Sequence, residues 1–282
     1  MKTLIPCITL AIFAASAQAQ QPGAPASEWQ AAGGITMTAS VRTWVADYSA
    51  RPLDAQLIVG PGGRPLISTS NSTGSSSTEL LPVVAVSATM DRFTLSGSFT
   101  PQVNYSNSAV AGGKTGRSEY DISLAYSLFP GLSAAVIYKG GKITEITTIS
   151  AQNLLGSRGD AKVDGLLIGL SGSAPLGLNS VNGLNLYGNV AAGKGKIKPD
   201  FGDRLNQNYL VSEVGLSWAI SQGAALGPFT SILLQAGYRA QTLSGDVTNL
   251  TIDPASMAVV GTTQSNVATT TRGPVFGVTM VF

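Results

Sequence analysis

Histidine is absent from this chain, and cysteine occurs once, as Cys7. The first absence removes the base on which Ser–His and Cys–His nucleophilic catalysis depend. Together the two absences take away the usual zinc ligands and leave no pair of cysteines to close a disulfide. Charge is scarce as well, at 11% of residues, with 17 basic against 15 acidic. So near a balance argues against a nucleic-acid partner. Mean hydropathy is nonetheless positive, at +0.22. Even so, no run of about 18 apolar residues is present to build a membrane-spanning helix.

The start of the chain, "MKTLIPCITLAIFAASAQA", carries Lys2, an apolar run through Phe13 and small residues ending in Ala17-Gln18-Ala19. This is the pattern of a secretory signal peptide over 1–19, cut after Ala19. The run is too short for an anchor that spans a bilayer. "LIPC" lacks the small residue that precedes a lipoprotein cysteine. The mature chain is therefore read as exported and free of cysteine, with a periplasmic lead over 20–34 and one domain over 35–282. Lipid admits only helices and closed barrels. The abundance of Ser, Thr, Val and Gly (33 glycines) favours the barrel.

The alternation is clearest in "FTLSGSFTPQVNY", residues 93–105. Phe93, Leu95, Gly97, Phe99, Pro101, Val103 and Tyr105 share one side. Thr94, Ser96, Ser98, Thr100, Gln102 and Asn104 share the other. Such a strand has one apolar and one polar face, and in a membrane barrel the apolar face meets lipid. Similar segments predict ten strands near 35–46, 80–90, 93–105, 118–129, 131–143, 161–173, 184–198, 209–220, 229–243 and 273–282. Their connections alternate between short and long. The long ones fall at 47–79, 106–117, 144–160, 199–208 and 244–270, and "ISTSNSTGSSSTE" within the first reads as a flexible loop. Short periplasmic turns and long extracellular loops are what a bacterial barrel shows. The fold class is thus all-β, a transmembrane antiparallel up-and-down β-barrel. Eight or twelve strands are the neighbouring counts, since Leu53–Val59 and Met257–Gly261 read equally as strand extensions or loop hairpins.

The chain closes on "GPVFGVTMVF", with Phe276, Val278, Met280 and Phe282 on one parity. In this ending, in the signal peptide and in the strand–loop layout the sequence resembles Gram-negative outer-membrane β-barrel proteins of the small porin-like class. The resemblance implies that these four residues form the signal read by the barrel-assembly machinery during insertion, and that the protein sits in the cell outer membrane. Aromatic residues suit two interfacial girdles: Phe93, Trp218, Phe229 and Phe282 at the periplasmic rim, and Tyr120, Tyr138 and Tyr238 at the outer rim.

The opposite parity lines the lumen. It carries the charges Arg42, Glu119, Asp121, Lys139, Glu213 and Arg239, with Gln235, Asn185 and Asn189. The rest is small, as in Ser96, Ser98, Ser123, Ser133, Ser171, Gly169, Gly215, Ser217 and Gly237. Two readings stay open. Either the charges pair and plug a narrow barrel, or the small side chains leave a water-filled path whose selectivity the charges set. Ten strands lie close to the filled end of the barrel series. Glu119 and Asp121, two apart on one face, suit acid–base work, but an ion-pair cluster with Arg42 or Arg239 is the simpler reading. Two phosphate-loop look-alikes fail: after Gly188…Lys194 stands Gly195 in place of Ser or Thr, and Lys114-Thr115 lacks its first glycine, having Ser108. Lys142, Lys162, Lys194, Lys196 and Lys198 prolong lipid-facing parity past the hydrocarbon zone, where lipopolysaccharide phosphates lie.

The sequence therefore predicts a monomeric outer-membrane barrel with no cofactor or metal and no enzymatic activity. Its expected role is structural or porin-like, passing at most small polar solutes or ions. The alternative is a surface interaction protein, adhesin- or receptor-like, working through its extracellular loops. Its expected partners are outer-membrane lipid, lipopolysaccharide and the assembly machinery.

Overall fold

The computed structural model describes residues 34–50, 53–71, 74–107, 113–150, 153–177, 183–200, 205–222 and 231–282. The signal peptide, Cys7 and the lead up to residue 33 lie outside the described residues, as does Phe229. In chain order the strands are β1 (Ile35–Ala50), β2 (Leu53–Val59), β3 (Pro65–Asn71), β4 (Gly74–Met90), β5 (Phe93–Asn107) and β6 (Gly113–Phe129). They continue as β7 (Leu132–Ser150), β8 (Asn153–Pro175), β9 (Leu184–Pro199), β10 (Leu205–Gln222), β11 (Ser231–Asp253) and β12 (Ala258–Val281). Ten of these form the wall, each antiparallel to its neighbours. β1 pairs with β12 from Thr38 opposite Val281 to Ser49 opposite Thr270, which closes the barrel. Closure follows from the solvent, because a lipid-facing sheet edge has nothing to bond its amides.

The short turns are set by local chemistry. β4 and β5 meet at Asp91-Arg92, where Asp91 takes φ 53°, a left-handed conformation that Asp tolerates better than most residues. β6 and β7 meet at Pro130-Gly131, with proline where φ is fixed near −65° and Gly131 at φ 81°. On this periplasmic end the strands stop abruptly.

At the other end they run on. β5 has 15 residues and β12 has 24, whereas about 9–11 cross a membrane. The predicted strands were therefore too short mainly on the outer side; on the periplasmic side β8 and β10 run two residues past the predicted ends. Much of what the sequence pattern assigns to loops is the continuation of wall strands above the membrane. The Ser/Thr/Gly stretch at 66–79, read as a flexible loop, belongs to β3 and β4 around residues 72–73. Leu53–Val59 proves to be one strand of a loop hairpin, and 258–261 an extension of β12. The β2–β3 hairpin joins the outer end of β11 through Ile67 opposite Ile252 and Ser68 opposite Thr251.

The outer surface of the wall is apolar all round: Val41 is 54% exposed, Leu95 57%, Ile168 70% and Phe276 53%. A soluble protein cannot leave so continuous a band in water, whereas bilayer hydrocarbon covers it. The girdle residues lie on this surface. Phe93 stacks beside Tyr126 with ring centroids 5.1 Å apart, and Tyr120 beside Tyr138 at 6.2 Å.

Register shifts occur towards the ends of several strands, as between Ile143 and Ile146 of β7, and one falls within the predicted span of β5. Thr100 is opposite Glu119, but Val103 is opposite Arg117, so β5 carries one residue more than β6 between those points. This bulge at Pro101-Gln102 turns Val103 and Tyr105 into the lumen, contrary to the sequence-based assignment to lipid. Tyr105 is fully buried. Proline cannot donate to the ladder and is at home in a bulge.

Inside, two apolar clusters face the lumen axis above its periplasmic third. One joins Trp44, Ala46, Tyr48, Leu81, Tyr105 and Val275; the other joins Ile143, Val163, Leu167, Ala191, Tyr209 and Leu243. The lumen glycines explain how the rings fit. Gly215 is directly opposite Gly237, and Gly165 is directly opposite Gly195. Tyr187 lies across the first pair and Tyr209 across the second. These four glycines therefore hold aromatic rings, whereas Ser96, Ser98, Ser123, Gly169 and Ser171 border a cavity. A Cβ on Gly237 would stand 2.6 Å from the Val214 carbonyl oxygen and 2.7 Å from the Tyr187 hydroxyl. Gly237→Ala is expected to cost about 1–3 kcal/mol through such overpacking, read as a lower urea midpoint for the refolded protein. A conservative change at an exposed lipid-facing site, Val214→Ala, is expected to cost less.

Candidate functional site

Lumen parity puts every sequence-predicted charge inside, and the structure sorts them into two groups. In the first, β10 supplies Glu213, whose side chain is fully buried. Arg42 of β1 donates from Nη1 to Glu213 Oε1 at 2.7 Å, and the Tyr187 hydroxyl donates to the same oxygen at 3.1 Å. Arg239 of β11 brings Nη1 within 3.6 Å of Glu213 Oε2, and its guanidinium lies over the Trp44 ring at 5.0 Å. The residue missed as an aromatic lumen element, Trp44, has the parity of Arg42, and this could have been read two positions further along β1.

The second group lies on β6 and β7. Lys139 bridges Glu119 Oε2 at 2.9 Å and Asp121 Oδ1 at 2.7 Å. Arg117 pairs with Glu119 and donates from Nη1 to Thr271 across the lumen. Gln241 Nε2 donates to Glu119 Oε1 at 3.0 Å, and Ser98 donates to Asp121 Oδ2 at 3.1 Å. The partners of the two carboxylates are thus Arg117 and Lys139. The expected partners Arg42 and Arg239 are engaged by Glu213. Arg117 escaped the sequence analysis because the strand was begun at residue 118, five residues after its start at Gly113, although it has the parity of Glu119. It also lies 5.8 Å from the centroid of the Tyr48 ring.

Between the groups lies a cavity of about 90 Å³, lined among others by Arg42, Arg239, Lys139, Asp121, Ser98 and Asn189. Towards the periplasm the lumen is small and polar but tight. Thr38 and Ser87 hydroxyls meet at 2.7 Å, Ser217 is 2% exposed, and Ser231 is fully buried. Gln235 accepts from the Thr279 hydroxyl at 3.3 Å, and Asn185 donates to the Gly183 carbonyl at 2.9 Å. Away from the periplasm the two apolar clusters and the Arg117–Glu119–Lys139 chain narrow the lumen, leaving a cavity of about 20 Å³ beside Arg117, Glu119, Tyr209 and Leu243. Among the described residues no cluster of three or more Asp, Glu, Cys or His is arranged to hold a metal ion.

The five lysines form a patch on the lipid-facing surface of β7, β8 and β9. Lys142 is directly opposite Lys162, and Lys162 is directly opposite Lys198. Lys142 pairs with Asp160 and Lys198 with Asp164, while Lys194 donates to Asn208 Oδ1 at 2.6 Å. The terminal segment places Phe276, Val278, Met280 and Phe282 on the same outer surface. Further out, the β11–β12 turn is tied by Asp253, which accepts from the Ala255 amide at 2.9 Å and the Ser256 hydroxyl at 3.0 Å. These bonds hold the Asp253 carboxyl below its usual range.

No family model matches the chain, and no curated relative does. Among solved structures it is similar to the outer membrane protease OmpT of Escherichia coli. The identity is 11%, the coverage 88% of this chain and 97% of that one, and the TM-score 0.50. It also aligns with the translocator domain of the autotransporter NalP of Neisseria meningitidis, at 13% identity over 88% of each chain and a TM-score of 0.37. The Pseudomonas putida toluene transporter TodX aligns at 11% identity over 92% of this chain and 90% of that one, with a TM-score of 0.29. The chain therefore has the fold of an outer-membrane β-barrel. The expectation that it is not an enzyme is corrected, because a barrel that superposes on it over 88% of its length, at a TM-score of 0.50, is a protease. The missing histidine removes histidine-based chemistry and nothing wider.

Two buried arginines that share one carboxylate make Glu213 the member whose loss is felt most. Glu213→Gln is expected to cost about 3–5 kcal/mol, since it leaves buried cations uncompensated. Equilibrium unfolding in urea, followed by the shift between folded and unfolded bands on a gel, measures it.

Proposed function

We propose that the protein is a small porin-like barrel held shut by its own side chains, which passes at most water and small ions. The observation that carries this reading is the crowding of the lumen: Tyr48, Tyr105 and Tyr209 are nearly inaccessible, and Lys139 is 2% exposed. A ten-stranded wall encloses little space to begin with, and here the rings and the ion-pair chain occupy it. Planar-bilayer recording of the refolded protein tests it. Wild type should stay silent at moderate voltage, and Tyr48→Ala, Tyr105→Ala and Tyr209→Ala combined should give discrete steps. Folding of each is checked by heat-modifiable migration. Large stable steps from wild type would overturn the plug. Silence from the folded triple variant would return the function to the outer surface.

That second reading, a surface interaction protein, has its own observation. The tips above the membrane carry exposed apolar side chains, with Val59 81% exposed on β2 and Met257, Val259 and Val260 at 44–55% around the β11–β12 turn. Apolar groups that far from lipid mark interaction sites more readily than scaffolding.

We also propose that the lysine patch binds lipopolysaccharide phosphate. Like charges directly opposite on neighbouring strands are destabilising, and Lys162 stands between two other lysines with no acidic partner among the described residues. An anion at the headgroup level turns that repulsion into attraction. Micelles containing lipid A should raise the melting temperature of wild type more than dephosphorylated lipid A does. Lys162→Ser with Lys196→Ser should remove the difference. Equal stabilisation by both lipids would refute phosphate recognition.

A further inference from the structure

The lumen charges do not cancel group by group. In the outer group Arg117 and Lys139 balance Glu119 and Asp121, and every one of the four is in an ion pair with another member. In the inner group Arg42 and Arg239 share the single carboxylate of Glu213, which leaves one positive charge over. Glu79, the remaining described acid on lumen parity, lies towards the outer mouth and accepts from the Ser77 hydroxyl at 2.5 Å. The excess is buried: the Arg42 side chain is 7% exposed and that of Arg239 is 13%. Arg239 also keeps a buried Nε–H with no hydrogen-bond acceptor. A buried cation without a counter-charge is among the most costly features a folded chain can carry.

Both arginines line the cavity of about 90 Å³, together with Lys139, Ser98, Asn189 and the one carboxylate of Asp121, which is already taken up by Lys139 and Ser98. This space is wide enough for an ion with a few waters, and donors outnumber acceptors along its wall. We propose that the lumen holds a small monovalent inorganic anion of the halide or nitrate class, bound between Arg42 and Arg239. The anion completes the charge balance of the inner group and accepts from donors that the protein leaves unused. Its size limit is set by the cavity, so organic acid anions as large as gluconate are excluded. The inference concerns a bound ion and stands whether or not the lumen conducts.

Trp44 reports on the site, because its ring lies 5.0 Å from the Arg239 guanidinium. The probe is iodide, a heavy-atom quencher, added during refolding to a protein in which Trp29→Phe and Trp218→Phe leave Trp44 as the sole tryptophan. Quenching should saturate with iodide, chloride should compete and gluconate should not. Arg239→Gln and, separately, Arg42→Gln should each raise the half-saturating iodide by about tenfold or more, the loss of one charged hydrogen bond. The Arg42 change does not touch the Trp44–Arg239 stack, so it separates anion loss from a moved ring. Linear quenching in wild type, or saturation indifferent to chloride, would overturn the site. The wild-type competition needs no charge variant and decides the matter even where a variant fails to fold.

Discussion

Everything in this barrel depends on the pairing of β1 with β12. Hydrocarbon offers no hydrogen bonds, so a sheet with an open edge is not viable in it, and Thr38 to Ser49 must find Val281 to Thr270. Once the wall closes with ten strands, the width of the lumen is set and every second side chain is committed to it. What remains to the sequence is how to fill a fixed space whose contents cannot move out. Water outside a soluble protein tolerates misplaced polar groups; the interior of this wall does not.

The filling follows a consistent physical logic. Where Tyr187 and Tyr209 turn into the lumen, the two strands next along the wall carry a pair of glycines directly opposite one another, on which the ring lies. Where a carboxylate points inward, guanidinium or ammonium groups from other strands meet it. Arg42, Glu213 and Arg239 come from β1, β10 and β11, so their pairing spans the closure of the barrel as well as its lumen. Such a triad adds little net stability after desolvation. Its stronger effect is on register, because a two-residue slip of any of these strands would strand a charge. Charge in this lumen specifies the arrangement more than it strengthens it.

How far this was legible follows from the same logic. A period of two is a local property, so lipid-facing and lumen-facing sets such as Ile122, Leu124 and Glu119, Asp121 can be separated from sequence alone. The fate of Tyr105 was not legible, because the bulge at Pro101-Gln102 exists only relative to the register of β6. The glycine pairs were equally hidden: Gly165 and Gly195 are thirty positions apart, and only strand pairing shows that they form one bed under Tyr209. Composition then misleads, since glycine that accommodates a ring and glycine that leaves a path look the same. The outer strand ends were missed for a different reason. Above the membrane both faces of a strand meet water or protein, the alternation fades, and Ser/Thr-rich strands such as β4 before Leu80 read as loops.

The contrast between the two surfaces of the wall carries the functional argument further. In the lumen, like charges are kept apart or bridged by a carboxylate. On the outside, Lys142, Lys162 and Lys198 occupy three directly opposed positions in a row. Asp160 and Asp164 neutralise Lys142 and Lys198 from the same surface, which leaves Lys162 as the member of the row that the proposed phosphate contact would serve. The Tyr120–Tyr138 pair just below the patch fixes where hydrocarbon ends, so the lysines stand at headgroup level. The two cationic features of this molecule, the row outside and the unbalanced arginines inside, therefore have one physical cause. In each, positive charge outnumbers the carboxylates beside it: three lysines meet Asp160 and Asp164 outside, and two arginines meet Glu213 inside, and the proposed anions would supply the missing charge.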